Sequence, residues 1–169
     1  KKTGNLIMVV GKTLGHIEQS TFLHENYSIF DGPPPDINLI NERNNGLAVC
    51  ELIKNNLVFS AHDVSTGGLL VALAEMSIAS GLGLKIYKPK KTASSIEYFY
   101  GEDQGRYLLE ISPDMLKKIE GLLKKNNVFF EVIAEVQNDT FEIDKLFSFK
   151  IKELSKINNQ WYNKFNGIN

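Results

Sequence analysis

Apolar and polar positions alternate along this chain in a pattern that predicts a mixed succession of strands and helices. Short apolar runs bounded by glycine or polar turn residues are typical of strands. We expect such strands at Leu6–Val10, Leu57–Ala61, Leu84–Tyr87, Arg106–Ile111, Val128–Val136, Thr140–Ile143 and Phe147–Ile151. Because helical segments separate most of these strands, we expect one α+β domain, an α/β layered sandwich whose mixed β-sheet is flanked by helices. The single domain is expected to span residues 1–169.

Longer segments with helical spacing or helix-capping residues predict the helices between these strands. They are expected at about Ile17–Glu25, Ile37–Asn55, Leu69–Ala79, Ser112–Asn127 and after Ile151 as far as about Phe165. In the second helix, apolar residues recur at Ile37, Ile40, Leu47, Leu52 and Ile53. The third is apolar almost throughout, so it is expected to be buried on most of its circumference. In the fourth, Ser112 suits the N-cap, and Pro113 and Asp114 suit the first turn.

Two segments are expected to lie between regular elements. Asp31–Asp36 holds three successive prolines, which forbid a helix and resist pairing in a sheet, so it predicts a stiff extended connector. Residues 88–95 begin with Lys-Pro-Lys-Lys and continue with small hydroxyl residues, so they predict an exposed internal loop.

Composition narrows the class of protein. Hydrophobic residues make up 43% and charged residues 23% of the chain, as in ordinary globular domains. A formal net charge of -1 provides no general attraction to nucleic acid or to an anionic membrane, so we expect neither as a partner. Cys50 is the single cysteine, which favours a reducing, cytoplasmic location. The three histidines show no metal-ligand spacing, and we assign no metal site.

The stretch FSAHDVSTGGLLVALAEM contains the first candidate for chemistry. Ser65 and Thr66 suit a helix cap, and Gly67 and Gly68 would let a ligand or another backbone approach the first N–H groups of the following helix. Such free donors at a helix start favour an anion, above all phosphate. His62 and Asp63 stand just before this turn, at the end of a strand. The same residues also suit a capping turn in which the glycines allow tight packing. For a generic chain, this structural interpretation is favoured over an anion site.

The stretch YGEDQGRY contains the second candidate. Its carboxylates Glu102 and Asp103, its amide Gln104 and its guanidinium Arg106 are suited to recognising a polar ligand. The alternative is a polar turn with one arginine–glutamate pair. We expect Glu102, Gln104 and Arg106 to face one cleft, with the helix start at Ser65–Gly68 nearby. Clusters on opposite faces of the domain would contradict that hypothesis.

In this order, GPPPDINLINERNNG, AHDVSTGGLLVALAEM and YGEDQGRYLLEI resemble the C-terminal domain of phosphoribosylformylglycinamidine synthase. That domain belongs to the wider group of aminoimidazole ribonucleotide synthetase C-terminal domains. The resemblance covers nearly the whole chain, from Gly4 to about Trp161, and implies the second of two such domains, at the end of a longer chain. In that domain the resemblance implies a pocket that is either vestigial or holds a structural nucleotide. It departs at Glu18, where relatives favour glycine, which argues against close approach of an anion at that turn.

The resemblance implies a role in purine synthesis, where formylglycinamide ribonucleotide becomes formylglycinamidine ribonucleotide with ATP, Mg²⁺ and ammonia from glutamine. It implies that ATP and Mg²⁺ are bound mainly by N-terminal-type domains outside residues 1–169, and that a separate domain or subunit is the glutaminase. We therefore assign no catalytic residue, expect this domain to be inactive alone, and expect it to complete a cleft against an N-terminal-type ATP-binding domain. An apolar face left uncovered would favour self-association.

Two alternatives stay open. The domain could be a non-catalytic scaffold whose pocket is vestigial, retained for packing between domains. It could also belong to another ATP-dependent member of the superfamily, such as an aminoimidazole ribonucleotide synthetase-like enzyme. The role of His62 is expected to be packing or hydrogen bonding, because the resemblance places the catalytic histidine elsewhere.

Overall fold

The computed structural model describes residues 2–87, 94–143 and 146–167. Its strands are β1 (Leu6–Val10), β2 (Ser60–Val64), β3 (Gly83–Ile86), β4 (Arg106–Ile111), β5 (Phe130–Gln137), β6 (Thr140–Ile143) and β7 (Phe147–Lys150). Its α-helices are α1 (Thr21–Tyr27), α2 (Leu39–Lys54), α3 (Gly68–Ser80), α4 (Ser95–Tyr100), α5 (Leu116–Lys125) and α6 (Ile151–Phe165). A short 3₁₀ helix, Pro113–Met115, leads into α5.

The described strands form one mixed sheet in the order β2-β4-β1-β5-β3-β6-β7. Strands β3 and β6 run parallel, whereas the other neighbouring pairs are antiparallel. Strand β1 lies inside the sheet, between β4 and β5, and its alternate residues supply both cores, as the period of a strand requires. Ile7 and Val9 contact one core, and Met8 and Val10 contact the other.

Helices cover both faces of the sheet, so the architecture has three layers. Helices α3, α4 and α6 pack on the face of Ile7 through residues such as Leu73, Phe99 and Ile151. Helices α2 and α5 pack on the opposite face through residues such as Leu52, Ile119 and Leu123. The expected class, a mixed sheet flanked by helices, is confirmed.

Two expected elements are shifted for identifiable reasons. The strand expected at Leu57–Ala61 begins later, at Ser60, because Leu57 belongs to the end of α2. The Leu57 N–H donates to the Leu52 carbonyl at 3.0 Å. Asn56 has a left-handed φ of 53°, and its N–H donates to the Ile53 carbonyl at 3.0 Å. This is the Schellman motif that ends many helices.

The first helix also begins later than expected. Helix α1 starts at Thr21, after the N-cap Ser20, whose hydroxyl accepts a hydrogen bond from the Leu23 N–H at 3.4 Å. Gln19 just before it has a φ of 54°, which a continuous helix excludes. The residues before Gln19 form a loop that a distant carboxylate holds in place, which local spacing does not reveal.

Helix α4 has no counterpart among the predicted helices. The expected loop at residues 88–95 lies mostly outside the described residues, and its last two residues start this helix instead. The hydroxyl of the N-cap Ser94 accepts a hydrogen bond from the Glu97 N–H at 3.4 Å. Tyr98 and Phe99, which are adjacent and both buried, pack toward α3 and anchor the short helix in the core.

Helix α2 confirms the expected helix, but its apolar residues are distributed differently from those of an ordinary surface helix. Only Leu52 among the recurring apolar residues is buried. Ile37, Ile40, Leu47 and Ile53 are exposed by 66%, 72%, 55% and 47%. Its buried positions are Asn45, Ala48, Val49 and Leu52.

Within the described residues, no helix has the length and apolar character that a membrane span requires.

Candidate functional site

The turn before β4 organises the loop that follows β1. The carboxylate of Asp103 is buried and accepts hydrogen bonds from the N–H groups of Leu14 at 2.9 Å, Gly15 at 3.0 Å and His16 at 3.1 Å. Three backbone donors pointing at one carboxylate fix the local path of the chain. Asp103 therefore shapes the site, and its oxygens are already engaged by the protein.

Arg106 does not face a cleft as expected, because its side chain is buried and only 1% exposed. Its guanidinium donates to the carbonyls of Asp103 at 3.1 Å and Gly101 at 2.6 Å, and to the Thr13 hydroxyl at 3.3 Å. Burial lowers the pKa of Arg106, and the Asp103 carboxylate 3.8 Å away opposes that shift. Arginine titrates so far above neutrality that the group stays charged. It locks the turn internally.

Glu102 connects the two motifs that the sequence singled out. One oxygen of its carboxylate accepts hydrogen bonds from the N–H groups of Thr21 and Gly67, each at 2.8 Å. The two motifs therefore lie side by side and not on opposite faces of the domain. The carboxylate also lies at the start of α3, where a helix favours a negative charge.

The glycines at the start of α3 are explained by close packing. Gly67 and Gly68 have φ values of 82° and 71°, in the left-handed region. A Cβ on Gly68 would lie 2.7 Å from the Gly101 carbonyl oxygen and 2.9 Å from that of Phe99. Ser65 and Thr66 are exposed, and α3 has no side-chain cap bond, so the expected capping by these hydroxyls is wrong. The close approach of the Phe99–Gly101 backbone and the hydrogen bond to the Glu102 carboxylate therefore explain the two glycines of this turn.

His62 and Asp63 lie on β2, an edge strand of the described sheet. The Nε2 atom of His62 is 3.4 Å from a carboxylate oxygen of Glu75 on α3. The Asp63 side chain is exposed. His62 also borders a second cavity of about 580 Å³ between β2, α3 and α6. These contacts are those of a hydrogen-bonding residue at an open edge.

A polar cavity of about 630 Å³ lies against residues 103–105 of the turn before β4. Three segments supply most of its polar lining, namely the loop after β1, the start of α2 and the turn before β4. Its lining includes Lys12, His16, Glu18, Asp36, Asn38, Asn41, Glu42, Asn45, Glu97, Asp103 and Gln104. Asp103 and Gln104 are the only residues of the two predicted clusters among the lining residues.

Close backbone contacts hold the three segments together. The side-chain amide of Asn45 donates to the Gly105 carbonyl at 2.9 Å. Gly11 has a φ of 95°, and a Cβ there would lie 2.5 Å from that same carbonyl oxygen. Nε2 of His16 lies 3.0 Å from the Pro33 carbonyl oxygen, so the proline connector is joined to the cavity wall. The cavity is thus a built feature of the fold.

The charges of the lining limit which ligands suit it. Beside the engaged Asp103, the wall carries the carboxylates Glu18, Asp36, Glu42 and Glu97 and the single ammonium group of Lys12. Carboxylate and amide oxygens accept hydrogen bonds from hydroxyl and amide groups, whereas several carboxylates repel a free polyphosphate. The arrangement therefore suits a ligand rich in O–H and N–H donors, with room for one anionic group at Lys12.

The start of α2 is the part of this site that the sequence motifs missed. Asn38, Asn41, Glu42 and Asn45 follow one another at the helical spacing i, i+3, i+4 and i+7, which places them on one face. That polar stripe was visible in NLINERNNG. The prediction of this helix rests on its apolar residues, which do not indicate the polar face. Among the described residues, no group of three or more His, Cys, Asp or Glu side chains could hold a metal ion.

Comparison with known families agrees with the motif resemblance. Residues 2–144 match the family described as AIR synthase related protein, C-terminal domain. The chain is 39% identical to phosphoribosylformylglycinamidine synthase subunit PurL of Pelagibacter ubique over 165 residues, 98% of this chain and 23% of that protein. The same subunit of Bartonella tribocorum is 36% identical, over 98% of this chain and 22% of that protein. The chain thus spans less than a quarter of these relatives' length.

Solved structures share the fold. T. maritima PurL complexed with FGAR superposes with a TM-score of 0.74 at 21% identity, over 92% of this chain and 28% of that one. T. maritima PurL complexed with ATP gives a TM-score of 0.72 at 20% identity, over 92% and 26%. The HypE-HypF complex gives 0.59 at 22% identity, over 89% and 53%. The resemblance read from the two motifs is confirmed by the family and the fold together.

Proposed function

The chain belongs to the family of AIR synthase related protein C-terminal domains. On that premise we propose that it acts as a domain of a phosphoribosylformylglycinamidine synthase. In that enzyme formylglycinamide ribonucleotide is converted to formylglycinamidine ribonucleotide with ATP and ammonia derived from glutamine. The domain contributes one wall of a ligand cleft and is inactive alone. The match to the PurL subunits across 98% of the chain is the observation that carries this proposal.

The polar cavity is the wall we assign to that cleft. A ribonucleotide with a formylglycinamide side chain presents hydroxyl and amide groups that can donate hydrogen bonds to the side-chain oxygens of Asn41 and Glu42. Lys12 is the cation available for a phosphate. Asp103 does not touch the ligand in this assignment, since it holds the loop that carries Lys12 and His16 in place.

The cofactors implied by the family, ATP and Mg²⁺, do not fit this cavity. Its wall carries four carboxylates besides Asp103 but one lysine, and the described residues hold no cluster suited to a metal. We therefore propose that an N-terminal-type domain binds ATP and Mg²⁺ and closes over the cavity, and that a glutaminase domain or subunit supplies ammonia in the cytoplasm. This chain's residues would bind and orient the ribonucleotide, and orientation by itself can lower a barrier substantially.

A scaffold with a vestigial pocket is the second candidate, and one observation favours it. Glu102, Asp103 and Arg106 all bond to the protein itself, so three of the four polar side chains in the second motif serve the fold. In that case the motif would be retained for packing, and the cavity would have no ligand. The two candidates differ in whether Lys12 and Asn41 affect ribonucleotide affinity.

A chimera distinguishes them. The region of Pelagibacter ubique PurL that matches this chain is replaced by residues 1–169, and the kinetics of ribonucleotide and ATP are measured. If the cavity binds the ribonucleotide, Lys12→Ala and Asn41→Ala each raise KM for the ribonucleotide about tenfold, the loss expected for one charged or polar contact, with KM for ATP unchanged.

The matched controls are Lys156→Ala and Asn163→Ala, which remove the same side chains from the exposed surface of α6. An active chimera whose cavity variants keep the KM of the unmodified chimera would reject the ligand cleft and support the scaffold. Changes in KM for ATP alone would place the nucleotide in this cavity and contradict the assignment above.

A further inference from the structure

Helix α6 carries an apolar stripe that the domain covers only at its beginning. Ile151 is buried, and Leu154 packs against the core of that face. Beyond this first turn the apolar side chains are open to solvent. Ile157, Trp161, Tyr162 and Phe165 are exposed by 62%, 67%, 59% and 76%. Several large apolar groups on one exposed helix mark an interaction surface more often than an accident of composition.

The spacing places these residues on one side of the helix. Leu154, Trp161 and Phe165 follow at intervals of seven and four residues, the spacing of anchors that enter a groove. The rings of Trp161 and Phe165 are stacked with centroids 5.4 Å apart, which presents a preformed aromatic platform. Lys152, Lys156 and Asn163 occupy the other side.

The stripe borders the second cavity of this domain. The second cavity, of about 580 Å³, is lined by Met76, Ile78 and Ala79 of α3 and by Asn158 of α6. Asn158 lies one turn before Trp161 and Tyr162, so the exposed aromatic residues continue outward from the mouth of this cavity. A partner seated on α6 could therefore also fill the space between α3 and the free edge of β2.

Helix α6 lies outside the part of the chain that defines the family. The match to the AIR synthase related C-terminal domain ends at residue 144, whereas α6 begins at Ile151. The PurL relatives match 98% of the chain, so their similarity extends through α6. They also contain more than three times as much additional sequence, since the chain spans 22–23% of their length. An uncovered helix shared with those longer proteins suits a contact within them.

We propose that α6 is a docking helix whose stripe enters an apolar groove on the part of a PurL-type polypeptide that this chain does not span. The proposal rests on the proposed function. It adds a second contact, separate from the polar cavity, because α6 lies on the opposite face of the sheet from α2, whose first turns line that cavity. We expect acidic side chains at the rim of that partner groove. Lys164 follows Ile157 by seven residues and lies beside it, while Glu153 is engaged by the Lys150 N–H at 3.1 Å.

A second copy of the chain suits this helix less well. Lys164 is the lysine of α6 that flanks the stripe, so two α6 helices packed in parallel along it would place these like charges near one another. Like charges across an interface oppose association. An acidic rim gains from Lys164, as does an anionic lipid surface, and the experiment below separates a lipid surface from a protein partner.

Trp161 makes the test direct, because it is the single tryptophan of the chain. The chain is produced with fluorinated tryptophan, and its one fluorine NMR resonance is followed while Pelagibacter ubique PurL lacking the matching region is added. We expect the resonance to shift and broaden on binding. Substituting Trp161→Ala and Phe165→Ala together should weaken binding, measured by calorimetry, by about tenfold or more, as for central anchor residues. Lys156→Ala on the opposite side is the matched control.

Each other result contradicts the proposal. Binding without a change in the resonance, or binding that the double variant leaves intact, would place the contact elsewhere on the domain. A resonance that shifts with the concentration of the chain alone would assign α6 to a second copy. A shift caused by vesicles of phosphatidylglycerol, without a shift caused by the PurL protein, would assign it to a lipid surface.

A second measurement applies if the shortened PurL does not fold. In the chimera described above, hydrogen exchange at residues 157–165 is compared with exchange in the isolated chain. Protection in the chimera by a factor of about ten or more is expected, because docking would suppress fraying of the helix. Equal exchange in both would overturn the proposal. Neither readout needs catalysis, so cavity variants that keep the KM of an active chimera, together with a protected α6, would reject the ligand cleft and leave the docking surface standing.

Discussion

The carboxylate of Glu102 and the backbone N–H of Gly67 lie 2.8 Å apart, and this hydrogen bond joins two motifs separated by 35 positions in the chain. It places a negative charge at the start of α3, where the helix favours one. The turn that suggested a phosphate site thus has an internal anion beside it. The polar cavity borders Asp103, Gln104 and Gly105 of the same turn and lies against the start of α2.

Removing the Glu102 carboxylate should destabilise the domain. In Glu102→Ala the N–H groups of Thr21 and Gly67 lose a shared acceptor, and the free energy of unfolding should fall by about 2–4 kcal/mol. Glu102→Gln keeps a neutral acceptor and should lose about 1 kcal/mol. Urea denaturation followed by circular dichroism measures both. Glu25→Ala, at an exposed position of α1, is the control, and equal stabilities for the two alanine variants would refute the role assigned to Glu102.

Gly68 should tolerate no side chain, whereas Gly81 should tolerate one at small cost. Both have left-handed φ values, 71° and 69°, but a Cβ on Gly68 would meet the Gly101 carbonyl at 2.7 Å and a Cβ on Gly81 would meet nothing within 4 Å. Gly68→Ala should lower the free energy of unfolding by about 3 kcal/mol or more, and Gly81→Ala by about 1 kcal/mol. Thermal and urea unfolding of the pair separate steric overlap from backbone strain. Similar losses would argue against close packing at Gly68.

Arg106 should not be replaceable by lysine. Its buried guanidinium bonds to two carbonyls and a hydroxyl in different directions, which an ammonium group on a shorter stem cannot reproduce. Arg106→Lys should lower the free energy of unfolding by about 3–5 kcal/mol. Arg43→Lys, on the exposed side of α2, should change it by less than about 0.5 kcal/mol. A stable Arg106→Lys variant would show that the guanidinium bonds contribute little.

Tyr98 should make the domain sensitive to alkaline pH. Burial, and then the charge of Glu131, raise the pKa of Tyr98 above its ordinary value of 10.0. Because the unfolded chain releases this proton first, the stability that Tyr98 contributes is fully present below pH 10 and is lost as the pH rises above it. Tyr98→Phe should therefore flatten the fall in stability above about pH 10. Urea unfolding at pH 8 to 11 tests this, with the exposed Tyr27→Phe as control. Parallel curves for both variants would contradict it.

Much of the fold follows from local pattern. The strands Leu6–Val10, Arg106–Ile111 and Thr140–Ile143 were predicted with the bounds that the structure shows, because each is a short run between turn residues. Helix α4 was missed, because its burial depends on Tyr98 and Phe99 meeting α3. The strand β2 was predicted too early, because Leu57 closes the Schellman motif of α2.

The candidate site was predicted less completely than the fold. The motif residues Asp103 and Gln104 do reach the polar cavity, but Lys12, Asn41 and Asn45 were not identified. They come from segments far apart in the chain, and the polar stripe on α2 becomes meaningful only once the helix packs against the Gly105 turn. Ligand binding by the predicted residues stays a prediction.

By itself, the sequence determined the class of fold, most of its elements and the family, since these depend on residue periodicity and on motifs read in order. Only the tertiary structure decided the roles of the charged residues. Whether Arg106 binds a ligand or holds a turn depends on what surrounds it, and burial with three protein acceptors settles that it holds the turn. Likewise, amphipathic spacing showed that α6 has an apolar side, but only packing shows that most of this side lacks cover.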